Sequence, residues 1–132
     1  MLSFNFELAD FASRMRLGSR SHYQSIKVRR NNLSFALLQL LYKNGAIRGF
    51  FCERLTIKVF LKYFCGQPTL RKIRLVTRPS ARAYWSLKQL SRRYNAHSLS
   101  GFYVVSTDKG LMTSHECIFH RLSGEVLLQI SV

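Results

Sequence analysis

Hydrophobic residues near the start of the chain recur with the spacing of an amphipathic helix. The positions i, i+3, i+4 and i+7 are apolar, namely Leu8, Phe11, Ala12 and Met15. Asn5 is suited to cap the start of this helix, and Gly18 is suited to end it. The outward face would carry Arg14 and Arg16. The pattern therefore predicts an N-terminal helix with one buried stripe.

A strand and a second helix are predicted next. Residues 25–29 form a short apolar and polar alternation that is typical of a strand. A helix is expected from about residue 33 to residue 43, with Asn32 as its cap and Gly45 as its stop. The apolar stripe of this helix is expected in the core and consists of Leu37, Leu40 and Leu41.

The hydrophobic period changes to two between residues 46 and 64. The apolar members of this alternation are Leu55, Ile57, Val59, Leu61 and Tyr63. Strict alternation indicates a strand, and we expect it to pair with residues 47–52 in a hairpin that turns near Glu53 and Arg54. The first half of the chain therefore predicts the element order α-β-α-β-β.

The residues Gly66, Gln67 and Pro68 break this pattern and are the best candidate for a linker. We expect two domains, residues 1–66 and 67–132. The second is predicted to contain strands at 70–77, 102–107 and 125–132, helices at 87–94 and 114–122, and a turn at 108–110. Ser114 would cap the last helix. The predicted fold class is α+β, with two small mixed domains, the second rich in strands with short helices.

Composition adds a strong constraint to this fold. The chain has 132 residues, of which 47% are hydrophobic, so it can bury a core. It carries 21 Lys and Arg against 6 Asp and Glu, a formal net charge of +15. Such an excess repels itself in a compact state unless a polyanion neutralises it, and nucleic acid is the usual partner. A membrane surface would call for a basic amphipathic helix or a lipid anchor, and the sequence shows neither.

The compartment is indicated less directly. Glu7 and Asp10 argue against a cleavable signal or transit peptide, so we expect the protein to be mature from its first residue. Three cysteines at irregular spacing indicate a reducing environment and not a disulfide scaffold.

The densest charge lies between Arg54 and Arg93, where eleven Lys or Arg residues occur with no acidic residue before Asp108. A charge run of this kind is usually a solvated surface. Here it is interleaved with Tyr84, Trp85 and Tyr94. Guanidinium groups can meet phosphates while aromatic rings stack on exposed bases, so the pattern favours RNA.

The segment around residues 104–113 offers the most specific chemistry. A buried strand leads to two hydroxyls, Ser106 and Thr107, then to Lys109 and to Gly110, which permits a turn. Hydroxyls and turn amides can donate to phosphate or ribose. The alternative is a plain hairpin in which the hydroxyls bond their own backbone. The residue pattern alone leaves both interpretations open.

The same segment also carries a resemblance. The run YVVSTDKGLMT resembles the signature VVSTSKGVMT of the bacterial-type ribosomal protein S8 family. TRPSARAY at residues 77–84 is similar to the family's SRPGLRIY, and SGEVL at 123–127 is similar to its terminal GGEIL. LADFASRMRLG at residues 8–18 is similar to IADMLTRIRNG. Order and spacing hold across essentially the whole chain, so the likeness is specific.

The resemblance implies a fold of two small α+β domains and a function. Family members bind an irregular helix in the central domain of small-subunit rRNA, beside neighbouring small-subunit proteins. The residues implied to contact or support that RNA are Ser106, Thr107, Lys109, Gly110, Arg78, Arg82, Tyr84, Glu125, Arg14 and Arg16. The role assigned to Glu125 is at the edge of the surface, and Arg14 and Arg16 would face phosphates from the first domain.

Four positions depart from the family pattern. Asp108 stands where the family usually has Ser, which places a carboxylate at the RNA face. Ser80 replaces a Gly, Leu17 replaces the Asn of RNG, and Cys117 stands where Ala or Gly is usual. These changes affect the detail of RNA contact and leave the fold expectation intact.

Other functions are disfavoured. His115, Cys117 and His120 could suggest a metal, but a fourth close ligand is absent from the sequence pattern. The six acidic residues are scattered, with no P-loop and no nucleophile elbow, so we expect no enzyme, no metal, no cofactor and no small-molecule substrate. The alternative is a basic RNA-processing or regulatory factor working off the ribosome. The divergence favours a mitochondrial ribosome, with a bacterial cytoplasm or a plastid as alternatives.

Overall fold

The first helix is longer than its sequence pattern predicts. The computed structural model describes residues 2–97 and 101–132, and α1 covers Leu2–Arg20. The predicted start of the helix at Asn5 therefore lies within α1, and that prediction was wrong. Gly18 also lies inside the helix. A side chain at this position would collide with Ile26 and press on Leu61. It is a packing glycine, and the predicted stop was wrong.

The rest of the N-terminal half follows the predicted order. Its elements are β1 (Ser25–Arg29), α2 (Asn32–Lys43), β2 (Ile47–Cys52) and β3 (Thr56–Leu61). The strands form an antiparallel sheet in the order β1-β3-β2. The cap of α2 is Asn31, one residue before the predicted Asn32, and its side chain accepts a hydrogen bond from Ser34 N at 2.7 Å. The predicted hairpin of β2 and β3 is confirmed.

The core of this half lies between the two helices and one face of the sheet. Its buried members include the predicted stripe of α2 and alternate residues of β3, namely Leu37, Leu40, Leu41, Ile57, Val59 and Leu61. Leu55 was the first apolar residue of the predicted alternation, yet it lies outside β3, which begins only at Thr56, and is 77% exposed. Alternation identified the strand correctly but overestimated its length.

Residues 66–68, where the sequence predicts a linker, belong to a small hairpin. Its strands are β4 (Tyr63–Phe64) and β5 (Gln67–Pro68). Cys65 and Gly66 connect them with φ angles of 52° and 77°. Two consecutive positive φ angles fit a two-residue hairpin turn. The chain divides into two compact units after Ile73, seven residues beyond Gly66, with Val132 grouped in the first unit.

The second unit is built on a five-stranded sheet with two helices. Its elements are β6 (Lys72–Leu75), whose first two residues are still grouped with the first unit, β7 (Tyr84–Trp85), α3 (Leu87–His97), β8 (Gly101–Thr107), β9 (Gly110–Thr113), α4 (Ser114–His120) and β10 (Gly124–Ser131). The strand order is β6-β10-β8-β9, and β7 pairs with β10. α4 is capped by Thr113 and not by the predicted Ser114, since the Thr113 hydroxyl accepts from Glu116 N at 3.2 Å.

One face of this second sheet packs against the helices. The core there contains Leu90, Tyr103, Val105, Cys117 and Val126. The mixture of helices and open sheets confirms the predicted α+β class. Within the described ranges, no helix combines the length and the apolar character needed to cross a bilayer.

Candidate nucleic-acid interface

One row of residues crosses the second sheet on the face opposite its helices. Glu125 of β10 is the register partner of Tyr84 on one side and of Ser106 on the other, and Ser106 is in turn opposite Leu111. Directly opposed residues in antiparallel strands project to the same face. The next row, with Val126 and Val105, belongs to the core. Residues from three of the predicted segments therefore share one surface.

Glu125 is the buried centre of this row. Its Oε1 atom accepts a hydrogen bond from the Thr77 hydroxyl at 2.8 Å and lies 3.8 Å from Arg82 Nε. The Thr77 hydroxyl also accepts from Ala83 N at 3.1 Å. Both Glu125 and Thr77 are buried. A buried carboxylate needs such partners, because its desolvation is otherwise unfavourable. These bonds attach residues 77–83, which precede β7, to strand β10.

Arg82 connects that network to the exposed surface. A hydrogen bond to the Tyr84 side chain and the charge of Glu125 both raise the pKa of the Arg82 guanidinium. The Tyr84 ring is 64% exposed. The arrangement offers a cation and an aromatic face side by side, a combination that suits phosphate and base together.

Of the two hydroxyls near the turn between β8 and β9, that of Thr107 forms hydrogen bonds within the turn itself. Thr107 Oγ1 donates to Gly110 O at 2.8 Å and accepts from Lys109 N at 3.2 Å. Gly110 has a φ of 107°, which favours glycine. The Thr107 hydroxyl therefore fixes the turn, as in the plain-hairpin interpretation, while Asp108 and Lys109 are exposed at its tip.

Ser106 differs from its neighbour. It is half-buried in the row, and within residues 2–97 and 101–132 its hydroxyl has no hydrogen-bond partner. Gly124 keeps the backbone close here, since a side chain at that position would overlap the Ser106 carbonyl oxygen. The Ser106 backbone is therefore close to β10, and its hydroxyl, opposite Glu125, remains available to a ligand.

Arg78 occupies a tight turn at the edge of this surface. Its backbone N–H donates to Ala81 O and its carbonyl accepts from Ala81 N, each at 3.1 Å, with Pro79 and Ser80 between them. The residue is exposed. The turn presents its guanidinium to solvent, where phosphates could be reached.

Trp85 and Tyr94, the other two aromatic residues of the charge run, make contacts within the second unit. Trp85 packs edge-on against Tyr103 at a centroid separation of 5.0 Å, and Arg93 lies 4.6 Å above the Trp85 ring. Tyr94 contacts His115, with its hydroxyl 3.3 Å from Nδ1. Of the three interleaved aromatics, only Tyr84 is exposed.

Arg14 and Arg16 lie in the first unit and make intramolecular bonds. Arg14 forms an ion pair with Asp10 at 3.1 Å and donates to Lys27 O at 3.0 Å. Arg16 donates to Ile73 O from Nε at 3.2 Å and from Nη2 at 2.7 Å. Both residues are exposed, so their remaining donors face solvent.

Comparison with known proteins identifies the family. The profile of the family described as Ribosomal protein S8 matches residues 7–131. The chain belongs to the ribosomal protein S8 family. It is 32% identical over 125 residues to the small ribosomal subunit protein uS8m of Acanthamoeba castellanii, covering 94% of this chain and 98% of that protein.

Bacterial members of the S8 family are similar to the same extent. The protein uS8 of Anaplasma phagocytophilum is 35% identical over 132 residues, covering 96% of this chain and 97% of its own. That of Legionella pneumophila strain Lens is 31% identical over 137 residues, covering 98% and 100%. The resemblance read from the sequence motifs is therefore confirmed along nearly the full chain.

Sequence reasoning missed one residue of this candidate site. Thr77 begins the TRPSARAY segment, but no separate role was predicted for it. Its position 48 residues before Glu125 carries no periodic signal, so only the fold reveals the bond between them. Glu125 was expected at the edge of the surface, and its buried position makes it a support for Arg82 and Tyr84.

The cysteine and histidine residues of α4 do not form a ligand cluster. Across the described part of the chain, no three His, Cys, Asp or Glu residues are grouped so that they could hold a metal ion. Cys117 is fully buried, and burial, with a smaller effect of Glu116, raises its pKa to about 11. The thiol is therefore a small core group and not a nucleophile.

Proposed function

We propose that this S8 family member is a structural constituent of the small ribosomal subunit that binds and organises the central domain of its rRNA. It acts by binding alone, and neighbouring small-subunit proteins are its other partners. The observation that carries the proposal is the row of Tyr84, Glu125 and Ser106, in which an exposed ring and an available hydroxyl lie on either side of Glu125, whose carboxylate pairs with Arg82.

This row suits RNA because it combines short-range and long-range contacts. The Ser106 hydroxyl can donate to or accept from a ribose hydroxyl or a base edge in a shallow minor groove. Lys109 in the turn between β8 and β9 and Arg78 in the turn before β7 are exposed and can reach phosphates, which supply affinity without sequence information. Thr107 and Gly110 contribute by shaping the turn that presents Lys109.

The residues 67–132 form the rRNA-recognition part in this proposal, and Arg14 and Arg16 add phosphate contacts from the first unit. The exposed donors left over from their intramolecular bonds support that role. We place the protein in the mitochondrial matrix, on the mitoribosome. The relative named uS8m supports this compartment, while relatives named uS8 in bacteria keep a bacterial cytoplasm or a plastid as the alternative.

Binding to an rRNA fragment with the central-domain helix tests the proposal, against a scrambled duplex of equal length. Ser106→Ala should lower the specific affinity by roughly threefold to tenfold, since a hydrogen bond between neutral groups contributes about 0.5–1.5 kcal/mol. The exposed Ser21→Ala of the first unit is the matched control and should leave the affinity unchanged. Equal binding of both RNAs would contradict the proposal and favour an off-ribosome RNA-binding factor.

A further inference from the structure

The three-stranded sheet of the first unit has an outer face that differs from its core face. Ile57 and Val59 of β3 point into the core and are fully buried. The intervening residues Lys58 and Phe60 belong to the opposite face, because side chains alternate along a strand. Phe60 is 36% exposed, and Lys58 lies 5.5 Å from the centre of its ring.

The register of the sheet extends this outer face across all three strands. Lys58 is opposite Lys27 of β1 and Phe51 of β2. Phe60 is opposite Ser25 and Gly49. Directly opposed residues share a face, so the two aromatic rings and the two lysines form one patch. We call these residues, with Arg29 opposite Thr56 at one end, the outer sheet face.

The rings of the outer sheet face are accessible. Phe51 is 62% exposed. A methyl group added at Gly49 would meet no atom within 4 Å, so the space beside Phe60 is open. Phe51 and Phe60 are diagonal neighbours on adjacent strands, a relationship that separates side chains by roughly 7–8 Å. Each ring can therefore contact a different planar group.

The net positive charge of the outer sheet face favours binding of an anionic partner. Lys27, Arg29 and Lys58 lie on it, and the nearest carboxylate is Glu53, 3.6 Å from Lys27 Nζ. Glu53 also accepts a hydrogen bond from the Thr56 hydroxyl at 3.1 Å. One carboxylate against three cations leaves a net positive patch around two exposed aromatic rings.

We propose that the outer sheet face is a second RNA-binding site, which takes unpaired nucleotides by stacking two bases on Phe51 and Phe60. Lys27, Lys58 and Arg29 hold the adjoining phosphates. Flat antiparallel sheets with exposed aromatics bind single-stranded RNA in this way, since every base has a face that stacks. The site deepens the proposed function, resting on it only in that the protein binds RNA.

The test uses the full-length protein and a fluorescent, unstructured RNA of about ten nucleotides, within the size range of such sites. Phe51→Leu/Phe60→Leu keeps apolar side chains and removes the stacking planes, and it should weaken binding by about tenfold or more. Phe64→Leu is the matched control. It removes a ring that is 76% exposed in the same unit but outside the outer sheet face, and binding should hold within about twofold.

Cross-linking with a 4-thiouridine RNA gives a second readout, and the expected adducts map to β2 and β3. An unchanged affinity of the double variant, or an equal loss with Phe64→Leu, would overturn the proposal and assign the face to a protein partner. Ser106→Ala, tested in parallel on the rRNA helix, separates the two sites. If Ser106→Ala left the affinity for the rRNA helix unchanged while the double variant lost its affinity for the unstructured RNA, the result would contradict the proposed site at Ser106 and support the proposal for the outer sheet face.

Discussion

Thr77 and Glu125 form a buried hydrogen bond of 2.8 Å between segments that are 48 residues apart in the chain. The same hydroxyl receives the backbone N–H of Ala83, which leads directly into Tyr84. Thr77 therefore sets the position of the Arg82 and Tyr84 segment relative to β10, although it is too buried to contact RNA itself.

Replacing Thr77 by Val is expected to destabilise the protein and to displace Tyr84. The change keeps the shape and leaves Glu125 and Ala83 N without this partner, an effect of about 1–3 kcal/mol. Chemical denaturation measures the loss, and Thr77→Ser should restore most of it. A Val variant with unchanged stability would show that Glu125 finds other partners.

Gly110→Ala is expected to destabilise the turn between β8 and β9. The φ of 107° is unfavourable for any residue with a Cβ, with an effect of about 1–3 kcal/mol. Space is not the cause, since a Cβ there would have no neighbour within 4 Å. Gly49→Ala tests this distinction, because Gly49 has equally open surroundings without a positive φ. Similar melting temperatures for the two variants would contradict the conformational explanation.

The sequence predicted most elements because their patterns are local. The alternation in β3 and the stripe of α2 result from burial of every second or every third to fourth residue, and both are present in the structure. The helix boundaries were less predictable. Whether Gly18 ends α1 or packs inside it depends on the positions of Ile26 and Leu61, which come from other elements. Local sequence contains no information on such a contact.

The sequence predicted which residues belong to the candidate site better than it predicted what each side chain does there. The family motif located Ser106 and Tyr84, and the sheet register shows that they flank Glu125. The sequence could not show that the Thr107 hydroxyl bonds within the turn whereas the Ser106 hydroxyl does not, because the two residues are adjacent and carry the same functional group. The difference results from strand geometry, in which Thr107 ends β8 and turns its hydroxyl to Gly110.

Gly18→Ala tests whether tertiary packing overrides helix propensity. Alanine is favoured over glycine inside a helix by about 1 kcal/mol. At this position its methyl group would collide with Ile26, and overpacking of a core costs about 1–3 kcal/mol. We expect a lower melting temperature for Gly18→Ala and a small rise for the exposed Ser13→Ala of the same helix. A stabilised Gly18→Ala would show that Ile26 moves aside.

Two of the three cysteines should differ in reactivity. Cys65 is exposed, whereas Cys117 is buried with a pKa raised to about 11. At pH 8, alkylation of the folded protein should modify Cys65 quickly and Cys117 only after unfolding. Because the folded pKa lies above the unfolded value, Cys117 should stabilise the fold fully below pH 9 and progressively less from pH 9 to pH 11. Cys117→Ala should flatten that pH dependence, and Cys65→Ala should not.

Lys109→Gln separates phosphate contact from recognition at the turn. Lys109 is exposed at the tip, and removing one phosphate contact lowers the slope of log affinity against log salt by about one. We expect weaker binding to the rRNA helix and to a scrambled duplex alike. Ser106→Ala should instead lower only the specific affinity and leave the slope unchanged, because a hydroxyl releases no counterion. Filter binding across a salt series measures both quantities. If Lys109→Gln affected the specific RNA alone, the lysine would be reading a base edge and not a phosphate.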